Sequence, residues 1–143
     1  MVHLDIITPQ KIIFQGDVDE VIVSTADGVI GILPHHINLF TKVIPGELTI
    51  KTGKSQQYLG VTSGFLQVEK EGITILADYA VRAEDVEVEK AIEAQKRAED
   101  VIKNKSEHTN QRDFANAQAE LLKAMTELRV AHRHKPRRPS DLS

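Results

Sequence analysis

All eight glycines of this chain, at positions 16, 28, 31, 46, 53, 60, 64 and 72, lie at or before position 72, and Ile73 to Lys135 holds neither glycine nor proline. Glycine and proline are the strongest local breakers of regular structure, so the chain changes architecture near position 80. Charge shifts at the same place. Residues 1–84 carry 6 basic and 10 acidic side chains, whereas residues 85–143 carry 12 and 11.

The glycine-bearing part reads as short strands. Val2–Ile7 precedes a Thr8-Pro9-Gln10 turn, Ile12–Gln15 precedes Gly16, and Val18–Thr25 alternates before Asp27-Gly28. Val29–Leu33, Ile37–Val43, Glu47–Lys51, Gln56–Thr62, Phe65–Lys70 and Ile73–Asp78 continue the series, with turn residues between them. Turn signals every ~8–12 residues predict an antiparallel β-sandwich or flattened barrel of about ten short strands. No helix-length segment separates the strands, which argues against a parallel α/β sheet.

The glycine-free part reads as two helices. From Asp85 to about Lys105, Val88, Ala91, Ala94, Ala98 and Val101-Ile102 recur at helical spacing. Acids crowd its first turns and Lys103 and Lys105 its last, which suits the helix dipole. A second helix from about Gln111 to His132 carries Phe114, Ala117, Leu121, Ala124-Met125 and Leu128, with Asn110 as N-cap and Asp113 three residues on. The short link predicts an antiparallel hairpin. Its seam is mostly alanine: 91, 94 and 98 against 115, 117, 119 and 124. Alanine buries little area at ~25 cal/mol/Å², so the hairpin is expected to be weakly held, either as a simple helical lid or as an arm able to leave the sheet. The fold class is therefore α+β: a sandwich over residues 1–84, a hairpin over 85–135, and a disordered basic and polar tail over 136–143. Arg129–Arg138 contains five basic residues and no acid, which reads as solvated chain or as a contact for an acidic partner.

Several classes of function are excluded. A net charge of −3 and 4% aromatic residues argue against nucleic-acid binding. The absence of cysteine removes disulfide scaffolds, thiolate metal sites and cysteine nucleophiles. Apolar runs fall far short of the ~20 residues that span a bilayer, and Met1-Val2-His3-Leu4-Asp5 lacks the features of a signal peptide. The expectation is a soluble, cytoplasmic protein. Asp27-Gly28-Val29-Ile30-Gly31 matches neither the phosphate-loop pattern nor the dinucleotide fingerprint, and Thr62-Ser63-Gly64 lacks the nucleophile elbow. His35 and His36, adjacent on an extended chain, point to opposite faces and cannot chelate one metal together. The chain is not expected to be an enzyme, and no metal or catalytic residue is assigned.

This order of parts resembles the epsilon subunits of bacterial F-type ATP synthases. The resemblance is carried by Asp27 to His36, continuing through Leu39 to Pro45-Gly46, by Ser63 to Val68, by Ile73 to Asp78 and by Leu128-Arg129-Val130. One departure is Asn38, where many members have proline. The resemblance implies a non-catalytic subunit of the rotating central stalk that couples proton flow through the membrane sector to ATP synthesis. It further implies a peripheral location on the cytoplasmic face of the bacterial membrane, reached only through the complex. The implied partners are the gamma subunit, the c-ring and the alpha/beta catalytic subunits. Asp27, Gly28, Val29 and Ile30, with His35 and His36 in Pro34–Asn38, match the region facing the c-ring. The hairpin is implied to switch between a folded-down and an extended state that blocks ATP hydrolysis, with Arg129, Arg133 and the bases beyond them facing the catalytic subunits. An ATP motif of some members falls on Val86 to Ala91, where Glu87 and Lys90 replace its acid and arginine and Arg97 is retained. ATP is thus a weak regulatory ligand or none, since lysine lacks the planar fork for phosphate. The alternative is a free-standing interaction module with a helical-hairpin arm, of transcription-factor or co-chaperone type. Its cleavage-factor version needs acids at the hairpin tip, and the tip here is Lys103 to His108.

Overall fold

The computed structural model describes residues 1–104 and 110–135. The expected tail over 136–143 and the tip residues 105–109 lie outside the described residues.

Ten strands build the first part: β1 Val2–Ile7, β2 Ile12–Val18, β3 Glu20–Thr25, β4 Gly28–Ile32, β5 Leu39–Val43, β6 Gly46–Thr52, β7 Ser55–Val61, β8 Gly64–Glu69, β9 Gly72–Ala77 and β10 Ala80–Arg82. They pair in the order β10-β7-β6-β3-β5-β8-β9-β1-β2, with β4 on β3. Alternate residues point inward, and Leu4, Ile6, Val21, Val23, Leu48, Ile50, Leu59, Leu66, Ile73 and Ile75 join one buried cluster drawn from both halves of that order. The sheet therefore folds over on itself, because an alternating strand can bury only one of its faces. Its two ends meet where the Arg82 guanidinium on β10 donates to the Ile13 carbonyl on β2, at 3.0 Å.

The architecture is the expected one, with local differences. β1 and β9 pair in parallel, Leu4 beside Ile73 and Ile7 beside Leu76, because the chain returns to its first strand only after the whole sandwich. Gly16 lies inside β2 rather than ending it, since it pairs with Leu4. Residues 37 and 38 lie outside β5, and the short β10 adds a strand beyond Asp78.

A single 3-10 turn, Ala83–Asp85, leads to α1 Val88–Lys103 and α2 Gln111–His134. Asp85 thus belongs to the turn, and α1 begins three residues later than its acidic start suggested. The Asn110 side chain caps α2 by accepting from the Asp113 N–H at 2.7 Å, which satisfies one of the free donors of the first turn. The helices pack against each other and are bridged by Arg97 and Glu120 at 2.8 Å. Ala91, Ala98, Ala117 and Ala124 are buried, but Ala115, Ala119 and Met125 are exposed. The seam is narrower than the alanine count suggested, because a helix turns 115 and 119 away from the face holding 117 and 124. No described helix is long and apolar enough to cross a membrane.

Candidate functional site

Two outer surfaces of the sandwich stand out. On the β5-β8-β9-β1-β2 half, large apolar residues occupy outward positions that alternation would give to polar ones. Phe65 pairs with Leu76 across β8 and β9, Leu76 with Ile7 across β9 and β1, and Ile7 with Ile12 across β1 and β2. Phe40 on β5 stacks on Phe65 with ring centroids 5.7 Å apart. The result is one apolar stripe across five strands, with Phe40 68%, Phe65 46%, Leu76 51% and Ile12 56% exposed. Isolated exposed apolar residues are ordinary, whereas a contiguous row of this kind marks an interaction surface.

The stripe was not singled out in the sequence. Its signal is a broken alternation: in Leu39–Val43 the inward positions are Thr41 and Val43, leaving Phe40 outside. Phe65 and Leu76 likewise sit out of phase with buried Leu66 and Ile75.

On the other half, the outer face of β6, β7 and β10 receives the end of α2. Gly60 on β7 pairs with Glu47 on one side and Val81 on the other. A side chain there would meet Thr126 Cγ2, the Thr126 carbonyl and Val130 Cγ1, each at 3.1 Å, so the bare backbone is what lets the helix approach. Ala83, Val86, Val130 and Ala131 are buried at this contact, with Tyr58, Val81 and Val88 around them. Polar ties surround it. Arg133 donates to Glu47 Oε2 at 2.7 Å, the His134 ring stacks on Tyr58 at 3.6 Å, and Lys135 donates to the Val86 carbonyl.

The sequence candidates fall into three places. Asp27 and Gly28 form the β3–β4 turn, where Gly28 takes φ +113, a value only glycine adopts freely. The Thr25 hydroxyl donates to the Gly28 carbonyl, and the Thr41 hydroxyl donates to Asp27 Oδ2 at 3.0 Å, which ties this turn to β5. Val29 is exposed, as are Leu33 and Ile37, while Ile30 packs on the core. His35 is exposed with φ 69, and the His36 ring meets the Ile37 carbonyl at 2.8 Å. Among the described residues no group of His, Cys, Asp or Glu is placed to hold a metal.

Glu87 and Lys90 pair with each other at 2.7 Å, both exposed at the start of α1. The ammonium holds the Glu87 carboxyl below the usual range, and the carboxylate raises Lys90. Arg97, two turns on, is committed to Glu120 instead. The three residues do not form one cluster. Arg129 lines a shallow cleft with Gly46, Glu47, Thr126, Val130 and Arg133, so Arg129 and Arg133 face the sandwich rather than open solvent alone. Arg137 and Arg138 lie outside the described residues.

Comparison with known proteins supplies two matches that together span nearly the whole chain. Residues 1–83 match the family described as ATP synthase, Delta/Epsilon chain, beta-sandwich domain, and residues 84–132 match its long alpha-helix domain. The chain is 38% identical over 128 residues to the ATP synthase epsilon chain of Hydrogenovibrio crunogenus, covering 90% of this chain and 87% of that one. It is 39% identical over 132 residues to the ATP synthase epsilon chain of Dehalococcoides mccartyi, covering 92% and 93%. A chain in the Euglena gracilis mitochondrial ATP synthase structure of OSCP, F1 and c-ring shares the fold, with TM-score 0.67 and 21% identity over 93% of this chain and 81% of that one.

Proposed function

Since the chain belongs to the family of ATP synthase epsilon chains, we propose that its apolar stripe is the face by which it is carried on the gamma subunit of the rotating central stalk. It is a non-catalytic subunit, and its work is mechanical and regulatory. The observation that carries this reading is the alignment of Phe40, Phe65, Leu76, Ile7 and Ile12 in one row. A row of rigid apolar side chains on a sheet is suited to the flank of a long helix, and aromatic anchors dominate such contacts.

The β3–β4 turn with Val29 and Ile30, and the segment with His35 and His36, form the second contact, towards the c-ring. The first is pinned by Thr25 and Thr41 and presents exposed Val29. Two attachments on one rigid sandwich transmit torque from ring to stalk, which is how proton flow reaches distant catalytic sites. The hairpin regulates: docked through α2 it leaves hydrolysis free, and extended it presents Arg129 and Arg133 to the alpha/beta subunits. ATP is at most a weak ligand of the docked state. The subunit works at the cytoplasmic face of the bacterial membrane, held there by its partners. A free-standing module with a helical arm is the less favoured reading, because both parts match one family over nearly the whole chain.

Placing a charge in the stripe tests this. Phe65→Glu is expected to weaken binding to an F1 core that contains gamma but lacks this subunit by at least about tenfold, or ~1.4 kcal/mol. Its circular dichroism should be unchanged, because the side chain points outward. Undiminished binding would move the gamma contact elsewhere.

A further inference from the structure

The outer face that bears the apolar stripe also carries charge, and its acids lie on one side of the stripe. Next to the row of Ile12, Ile7, Leu76 and Phe65 runs a second outward row of Gln15, Asp5, Thr74 and Gln67, joined by the same strand pairs. A third row follows, with Asp17 opposite His3, Gly72 against His3, and Glu69 opposite Gly72. We propose that the partner segment seated on the stripe is a helix with lysine or arginine along one flank, and that Asp5, Asp17 and Glu69 pair with that flank and fix the direction in which the helix lies. The inference rests on the reading that the stripe is the gamma contact, and adds the chemistry that gamma must present there.

The apolar row alone cannot choose a direction. A helix laid across β2, β1, β9 and β8 buries the same side chains whichever way it runs, because apolar burial is non-directional. A charged flank breaks the tie. Turning the helix end for end carries its bases to the opposite side of the stripe. There they would meet Lys11 in the β1–β2 turn and Lys42, which pairs with Phe65. Specific interfaces use such repulsion against the wrong arrangement as well as attraction in the right one.

The acids form a negative edge under either form of the histidine beside them. The His3 ring lies between two of them, Nδ1 3.3 Å from Asp17 and Nε2 3.1 Å from Asp5, which fixes where these carboxylates stand. Asp5, Asp17 and Glu69 outnumber the single imidazole, so the edge stays negative whether or not the ring is charged. Gln67, a neutral donor, gives Glu69 a hydrogen bond at 2.5 Å and leaves its charge uncancelled. The β8–β9 turn adds Lys70 and Glu71, which offset each other, and exposed Asp78, two residues past Leu76, moderates the basic side.

The length of the edge says how the bases are spaced. Neighbouring strands lie ~4.8 Å apart, and the path from Asp17 on β2 to Glu69 on β8 crosses β1 and β9, about 14 Å in all. An α-helix rises ~1.5 Å per residue, so the edge faces about ten residues of it. Bases recurring roughly every three to four residues stay on one flank over that length. The docked hairpin of this chain does not compete for the face, since α2 packs on β6 and β7 of the other half.

Association of the full chain with an F1 core that contains gamma and lacks this subunit tests the flank. Charges at the rim of an interface act mainly on the association rate and on its salt dependence. Asp17→Asn combined with Glu69→Gln is expected to lower that rate about threefold to tenfold at ~0.01 M salt, and by less at ~0.1 M, where charges are screened over ~10 Å. Both side chains are exposed, so circular dichroism should stay unchanged. Glu99→Gln with Asp100→Asn removes as much charge from α1, on the other part of the molecule, and should change the rate far less. Lys11→Gln with Lys42→Gln should not lower it. Rates that ignore the Asp17 and Glu69 changes, or that fall as far with the α1 or the lysine changes, while Phe65→Glu still weakens binding, overturn the basic flank and leave the stripe standing. Binding undiminished by Phe65→Glu overturns both.

Discussion

The sandwich and the hairpin bury apolar surface by different means. The sandwich core is a continuous set of branched side chains, with Leu4, Ile6, Val21, Leu48, Leu59, Leu66 and Ile75 completely covered. The hairpin meets that body through Ala83, Val86, Val130 and Ala131, and its own seam is alanine. Each buried leucine or isoleucine contributes about 1.5–3 kcal/mol, and an alanine methyl contributes far less. The sheet is thus built to hold one shape. The hairpin is held by far less apolar area, as the switch proposed for it requires, since its two arrangements must then differ by only a few kcal/mol. Polar ties compensate where apolar area is small.

The largest expected effect lies in the core. Leu66→Ala removes a completely buried side chain on β8 and should cost about 2–5 kcal/mol. Thermal unfolding of the sandwich should fall by roughly 10–30 °C, at ~4–8 °C per kcal/mol for a domain of this size. A shift of only a few degrees would mean that the sandwich relaxes around its cavities as readily as the hairpin, and the contrast between them would fail.

What could be read in the sequence follows the same division between local and distant contacts. Asn110 and Asp113 form a cap three residues apart, and the cap is present at 2.7 Å. Alternation along Val21–Val23 and Ile73–Ile75 placed strands because each inward position announces itself within two residues. Three-residue β10 is too short to show a period, and the parallel β1–β9 pairing joins the two ends of the sandwich. The stripe needed the register of five strands before Phe40, Phe65 and Leu76 could be seen as one surface. The docking contact of α2 was hidden more deeply still, since Arg133 and Glu47 are 86 residues apart and nothing near His134 points to Tyr58.

A middle-sized effect comes from Gly60, where bare backbone separates the two regions. Gly60→Val puts a branched side chain against Thr126 and Val130, whose atoms lie 3.1 Å from the position of its Cβ. Overpacking of this kind costs about 1–3 kcal/mol, here charged to the docked hairpin. The strand itself gains, because valine suits β7 better than glycine does. The expected outcome is a released hairpin on a sandwich at least as stable as before. Hydrogen exchange should show faster exchange confined to the 3-10 turn and the last turns of α2. Faster exchange throughout β6 and β7 would instead make the hairpin part of the sandwich's own support.

The smallest expected effect is that of ATP on the balance between the two regions. A ligand that binds only the docked hairpin shifts it by RT ln(1 + [L]/Kd), about 2.7 kcal/mol at a hundredfold excess over Kd. Such a shift would dominate a nearly balanced switch, so the affinity decides everything. A triphosphate needs cations that are free to turn to it. Lys90 is already paired with Glu87 at 2.7 Å and Arg97 with Glu120 at 2.8 Å, and drawing either cation away would leave a carboxylate beside the incoming phosphates. Lysine also offers a point charge in place of the two parallel hydrogen bonds of an arginine fork. Titration calorimetry on the isolated chain should therefore show binding no tighter than about millimolar, and addition of ATP should leave hydrogen exchange in the last turns of α2 nearly unchanged. Micromolar binding that disappears in Lys90→Ala would show that these ion pairs open on demand, and would make the hairpin answer to the nucleotide.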